Sequence, residues 1–249
     1  MNLKKEQMIE LFVRVSKKCR TAAIILAAGN STRMGSNINK QTEPLCRIPV
    51  LAHTLMAYQK CRLISEIIVV TRPQDFDAVY EMRNTYGITK MSHIAAGGAT
   101  RQESAKNGLA KLDPDIRYVA IADGARCMIT PQQIAKVCLR AYRHQAASAA
   151  HKVTDTVKRT NAAGMTRETV DRNNLWMAQT PQVFHHSLYI AALSRAQSDG
   201  FEGTDDNSLV EHLGYRVRMV ECGAENLKIT TPDDLAMAEA IMLYRSRNL

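Results

Sequence analysis

Aromatic side chains are scarce in this sequence, four Phe, one Trp and eight Tyr making up 5% of 249 residues. That leaves no platform on which the bases of a single strand could stack, and no basic stretch has the residue order of a recognised nucleic-acid module. Nucleic acid is therefore not an expected partner. Paired cysteines are also lacking: the six stand singly at 19, 46, 61, 127, 138 and 222, without the spacing of a zinc site or a redox motif. A reduced, cytoplasmic compartment is expected. The seven histidines show no metal-ligand spacing. No stretch approaches the ~20 apolar residues that a membrane span requires.

Two phosphate-binding signatures are missing as well. A Walker loop ends in Gly-Lys-Ser/Thr, but here Gly35 is followed by Ser36. A dinucleotide fingerprint needs three spaced glycines, and only Gly29 and Gly35 are in range.

What is present is an excess of cations, 33 basic against 24 acidic residues, for a formal charge of +9. Such a surplus attracts polyanions of any kind. The most informative run is Ala22-Ala23-Ile24-Ile25-Leu26-Ala27-Ala28-Gly29-Asn30-Ser31-Thr32-Arg33-Met34-Gly35, with Lys40-Gln41 five residues on. Its apolar half suits a central parallel strand. The loop after it carries no bulky side chain before Arg33, so backbone amides can approach a polyanion while Arg33 and Lys40 close over it. This outlines a nucleoside triphosphate site. A glycine-bearing strand-to-helix turn with two solvated cations fits the same residues.

Strand-like runs at 22–27, 66–71, 90–95 and 118–122 alternate with helix-length stretches at 49–60, 73–86, 101–111 and 131–143. This alternation predicts crossover units and an α/β, Rossmann-like, mostly parallel sheet flanked by helices. Gly29, Gly97-Gly98 and Asp123 then collect at the carboxyl edge of the sheet, where ligands bind in open α/β folds. Asp123 ends an apolar run, a good seat for Mg²⁺, which takes one or two carboxylates beside substrate phosphates. A loop or capping aspartate is the alternative. From about 150 to 179 the pattern becomes a β-arm with a turn at Asn161-Ala162-Ala163-Gly164. The tail returns to β-like segments at 217–222 and 227–230, then a helix from Pro232 to about Tyr244. Residues 1–20, with Lys4, Lys5, Lys17 and Lys18 around an apolar segment, read as a basic amphipathic helical extension of a domain spanning 21–249.

The Leu26–Met34 segment with Lys40 resembles the signature of the nucleotidyltransferases that activate sugar phosphates. The order of further motifs resembles the 2-C-methyl-D-erythritol 4-phosphate cytidylyltransferase family. These are Gly97-Gly98 with Arg101-Gln102 and Ser104, Asp123 with Ala125-Arg126, Asp155-Thr156-Val157-Lys158, Val170–Trp176, Gln179-Thr180-Pro181-Gln182, Thr204-Asp205-Asp206 and Asn226–Thr230. The resemblance implies transfer of CMP from CTP to a polyol phosphate with release of pyrophosphate, in non-mevalonate isoprenoid precursor synthesis. It assigns Arg33, Lys40 and Lys228 to catalysis. Ala27, Ala28, Gly29, Gly98, Ser104 and Asp123 would bind the nucleotide, with Mg²⁺ as cofactor on Asp123. Arg126, Thr156, Arg172, Thr180 and Thr204 would surround the sugar phosphate. By the same resemblance the β-arm clasps a second subunit in a homodimer and delivers Arg172 to the neighbouring site.

The sequence departs from the family pattern His-Asp-Ala-Ala-Arg-Pro, having Ala122-Asp123-Gly124-Ala125-Arg126-Cys127. Losing proline and gaining glycine predicts a looser loop around Asp123. Ala99 stands where an acidic residue is common, and Thr42-Glu43 where an apolar pair is usual. Two other functions remain compatible: a cytidylyltransferase for another polyol phosphate such as ribitol 5-phosphate, and a non-catalytic nucleotide-binding interaction protein. The Asp171–Trp176 segment looks more like the methylerythritol branch.

Overall fold

The structure is a computed structural model describing residues 19–29 and 40–247. Most of the expected N-terminal extension, and the loop carrying Arg33, lie outside the described residues.

The run after Arg20 forms β1 (Thr21–Leu26), which sits inside a seven-stranded sheet. On one side it pairs in parallel with β4 (Ile64–Thr71), which pairs with β5 (Met91–Ala96); on the other it pairs in parallel with β6 (Tyr118–Asp123). The short β2 (Pro44–Leu45) and β3 (Ile48–Pro49) form a separate antiparallel pair. The central strands are mostly apolar because both faces are covered. Ala23 and Ile25 of β1 join a core with Leu51 and Leu55 of α1 (Val50–Lys60), Val79 of α2 (Phe76–Thr85) and Ile134 of α4 (Pro131–His144). The alternate residues Ala22 and Ile24 face Ala105 of α3 (Arg101–Leu109), Tyr189 of α5 (His186–Asp199) and Leu209 of α6 (Asp206–His212). The two-residue period of a strand thus supplies both cores from one run. Gly108 lets α3 lie close on the sheet, since a Cβ there would stand 2.5 Å from Ile24 Cγ2.

The expected helices are present with shifted ends. The stretch from Pro73 divides into a 3₁₀ turn (Pro73–Asp75) and α2. Pro131 occupies the first turn of α4 behind a capping box from Thr130 and Gln133.

The sheet continues through β10 (Trp176–His185), antiparallel to both β6 and β7 (Ala146–Lys152), and ends with β11 (Arg218–Glu221), parallel to β7. The β-arm is smaller than the expected 150–179. Its flanks belong to β7 and β10 in the main sheet, and the separate hairpin is β8 (Val157–Thr160) with β9 (Thr166–Val170). Its turn falls where expected, with Asn161 Oδ1 accepting the amides of Ala163 and Met165 and Gly164 at φ +78°. The strand expected at 227–230 does not form. Ile229 instead makes one backbone hydrogen bond to Ala125 at 2.8 Å and is buried in a cluster with Ala238 of α7 (Pro232–Arg247). No helix among the described residues is long and apolar enough to cross a membrane.

Successive strands step outward from β1 through β4 to β5, then return to β1's other side at β6. This reversal puts the carboxyl ends of β1 and β6 beside one another at a topological switch point, with Leu26 opposite Asp123.

Candidate active site

A cavity of about 500 Å³ opens at that switch point. Ala28, Gly29, Lys40, Gly98, Ser104 and Lys228 line it, together with Asp123 and Arg101. The small residues have a steric purpose. A Cβ on Gly97 would fall 2.3 Å from Ala28 Cβ, so the loops after β1 and β5 can meet only without one. Ser104 Oγ accepts the Gly98 amide at 3.0 Å and donates to the Thr100 carbonyl at 2.9 Å, fixing the second loop. Ala27 is buried beneath the cavity, and its amide donates to the Val70 carbonyl at 2.7 Å.

Asp123 is the electrostatic centre. Lys228 Nζ lies 3.0 Å and Arg126 Nε 3.4 Å from Oδ2, while Arg101 Nη2 lies 3.8 Å from Oδ1. Burial alone would raise the pKa of this carboxyl, but Lys228, Arg101 and Arg126 outweigh it and hold the group below its ordinary value of 3.8. Asp123 is therefore ionised at neutral pH. Its backbone is fixed as well: the amide donates to Thr180 Oγ1 at 3.0 Å. Thr180 lies where β10 breaks its pairing with β7, between Ala178 and Gln182.

One carboxylate, with phosphate oxygens and water completing the shell, is chemistry that fits Mg²⁺. No cluster of three or more His, Cys, Asp or Glu that could form an all-protein cage occurs among the described residues. Oδ1 is the less engaged oxygen, and Asp123 would be the residue that holds the ion.

The expected loosening of the loop after Asp123 is not found. Gly124 does not have a positive φ. It is there for close packing, because a Cβ would lie 2.9 Å from Gln41 Oε1 and 3.0 Å from Leu51 Cδ1. Its amide donates to the Leu26 carbonyl at 2.8 Å, and its carbonyl accepts from Thr54 Oγ1 at 2.7 Å. Cys127, in the place of proline, is buried, and burial pushes its thiol up to about 12, which excludes it as a nucleophile at neutral pH.

The residues expected around the polyol phosphate divide. Arg126 is mostly buried, pairs with Asp123 and donates Nη1 to the Asn226 carbonyl at 2.8 Å, so it braces the site from beneath. Thr156, Arg172 and Thr204 are exposed. Among the described residues, the cavity lining includes none of Arg126, Thr156, Arg172, Thr180 and Thr204. Thr156 and Arg172 sit on the arm, where Arg172 Nη1 donates to the Thr154 carbonyl. Sequence reading missed Arg72 as a lining residue, although it follows the end of a parallel strand, and it gave no signal for Tyr189, whose partner is created by tertiary folding.

A switch-point cavity, facing small-residue loops and an ionised aspartate ringed by cations define a nucleotidyltransferase. The family model described as 2-C-methyl-D-erythritol 4-phosphate cytidylyltransferase matches residues 21–244, and the chain belongs to this family. It is 40% identical over 222 residues to the enzyme of that name from Caldanaerobacter subterraneus subsp. tengcongensis, covering 89% of this chain and 98% of the relative. It is 42% identical over 224 residues to the enzyme of that name from Synechococcus sp., covering 90% and 98%. Among solved structures it is similar to 4-diphosphocytidyl-2C-methyl-D-erythritol synthase from Anaerococcus prevotii, with TM-score 0.81 and 28% identity over 92% of this chain and 98% of that one.

Proposed function

We propose that this chain transfers CMP from CTP to 2-C-methyl-D-erythritol 4-phosphate and releases pyrophosphate. A phosphate oxygen of the polyol attacks the α-phosphorus, the new phosphorus–oxygen bond forms, and the bond to the β-phosphate oxygen breaks. Phosphate is already a competent nucleophile, so alignment and charge neutralisation are the protein's main tasks. The observation that carries the reading is Asp123 at the switch point, beside a cavity whose other charged lining includes Lys40, Lys228 and Arg101.

Lys40 and Arg33 act on the triphosphate, meeting negative charge as it gathers around the α-phosphate. Lys228, also in the cavity lining, serves the same charge. Ala28, Gly29 and Gly98 let the nucleotide approach the backbone closely. Bound Mg²⁺ would supply Lewis-acid neutralisation of phosphate oxygens beside Asp123. Thr204, on the loop before α6, contributes a hydroxyl to the polyol phosphate, and Arg172 and Thr156 meet it when a second subunit brings its arm to the site, which makes the working form a homodimer in the cytoplasm. Their exposure in a single chain, away from the cavity wall, favours this shared arrangement over a self-contained one. Thr180 keeps one hydroxyl proton to donate after accepting the Asp123 amide.

Phosphorus NMR of the protein with CTP, Mg²⁺ and 2-C-methyl-D-erythritol 4-phosphate tests the reading. A new pair of coupled diphosphate-diester signals, with inorganic pyrophosphate, is the expected result. Nucleotide hydrolysis to CMP without a coupled product would overturn it.

A further inference from the structure

Asp206 opens α6 and is fully buried. Its Oδ1 accepts from the hydroxyl of Tyr189, itself fully buried on α5, and its Oδ2 accepts from Arg101 Nη1. The other terminal nitrogen of the same guanidinium, Nη2, stands 3.8 Å from Asp123 Oδ1. Arg101 is thus shared unequally between two carboxylates. It is hydrogen-bonded to Asp206 and only near Asp123.

Both ends of this arrangement are rigidly mounted. Arg101 begins α3 directly after Thr100, whose side chain caps the helix by accepting the Glu103 amide at 3.0 Å. Asp206 follows Asp205, which forms a capping box with Ser208 and accepts from Gln182 Nε2 of β10 at 2.7 Å. The Asn207 amide returns a hydrogen bond to Gln182 Oε1 at 3.0 Å. The buried carboxylate is therefore tied to the strand that also brings Thr180 to Asp123.

Lys228 and Arg126 already approach Asp123 on Oδ2. If the charge of Asp206 were absent, the positive charge of Arg101 would be directed at Oδ1 without compensation, and an arriving divalent cation would meet it there. We propose that Asp206, braced by Tyr189, is a positioning residue that holds the Arg101 guanidinium off Asp123 Oδ1 and so keeps that oxygen open to a divalent cation. The inference rests on the reading of Asp123 as the seat of the metal.

The test is calorimetric binding of CTP with no polyol present, in saturating Mg²⁺ and in EDTA. The ratio of the two dissociation constants measures metal coupling. Asp206→Asn is expected to reduce that ratio about tenfold, the scale of one neighbouring like charge on a carboxylate site. Tyr189→Phe removes one hydrogen bond from the same brace and moves the ratio in the same direction by less. Its near-identical shape keeps the test available if Asp206→Asn fails to fold. The double variant Asp206→Asn with Arg101→Met should restore the ratio, because the guanidinium that Asp206 restrains is gone. A purely structural ion pair would lower the melting temperature without changing the ratio, and would show no rescue. An unchanged ratio in folded Asp206→Asn or Tyr189→Phe, or no rescue in the double variant, overturns the inference and leaves the metal reading intact. A ratio of one in the wild-type protein overturns the metal reading itself, and this inference with it.

Discussion

The ammonium of Lys228 lies 3.0 Å from Oδ2 of Asp123, joining the loop before α7 to the end of β6. With Arg101 and Arg126 also close, a neutral residue at 123 would leave a concentration of positive charge without its anion. Asp123→Asn is expected to weaken the metal-dependent part of CTP binding, because an amide is a poorer ligand than a carboxylate for a hard dication. Calorimetry with and without Mg²⁺ checks this, and unchanged metal dependence would reduce Asp123 to a structural group.

The same ion cluster sets a pH dependence. Because Asp123 has a lower pKa folded than unfolded, its contribution to stability is fully present above the ordinary carboxylate value of 3.8. That contribution is lost as pH falls through the lower, native value. Wild-type protein should therefore lose more stability than Asp123→Asn on acidification from pH ~5 to below 3.8, measured by denaturant unfolding without metal or nucleotide. Parallel curves for the two proteins would contradict the assignment.

Thr180→Val tests whether the hydroxyl supports Asp123. The change keeps the shape and leaves the Asp123 amide buried without its acceptor, at a cost of about 1–3 kcal/mol. Thr180→Ser retains the acceptor and should recover most of that stability. Equal melting temperatures for the Val and Ser variants would show that the 3.0 Å hydrogen bond matters little.

Lys40 lines the cavity, and the sequence puts Arg33 on the adjoining loop. Lys40→Ala or Arg33→Ala should lower turnover by about 10²–10³-fold, the scale for losing one donor to developing charge. Thermal midpoints should move little. Near-native turnover in either variant would remove that residue from the catalytic set.

Much of this site was legible because chemistry and topology coincide in short runs. The apolar stretch before Gly29 had to be buried on both faces, and the alternation of strands and helices fixed which strand ends would meet. Asp123 was readable because it terminates such a strand. Tyr189 was not, since its value lies in a hydrogen bond to Asp206, and Asp206, although part of the Thr204-Asp205-Asp206 motif, gains its role only through a contact across 105 residues of chain to Arg101, which no local pattern encodes. Gly124 misled for a related reason. Read locally, glycine frees a backbone, but here Gln41, Leu51 and Thr54 close around it and its lack of a side chain serves packing. The strand expected at 227–230 failed because an extended apolar segment becomes a strand only where a partner edge is open to it, and Ile229 finds a single backbone contact at Ala125.

Sharing of sites between subunits has its own test. Arg172→Ala and Lys40→Ala proteins, each with little activity, are mixed under conditions that exchange subunits. In a hybrid, one site combines the intact Lys40 of one chain with the intact Arg172 of the other. Activity should partly return, and a monomer in solution or mixing without recovery counts against an arm that serves its neighbour.

Pyrophosphate release is measured with purified protein, CTP and Mg²⁺ against 2-C-methyl-D-erythritol 4-phosphate and ribitol 5-phosphate. Sites that hydrogen-bond particular hydroxyls discriminate by up to about 10⁴–10⁵, whereas one methyl group in an apolar pocket contributes only ~1–3 kcal/mol. Release with the methylerythritol substrate is expected at a kcat/KM clearly above that for ribitol 5-phosphate. No release with either acceptor, or a higher kcat/KM for ribitol 5-phosphate, would contradict it.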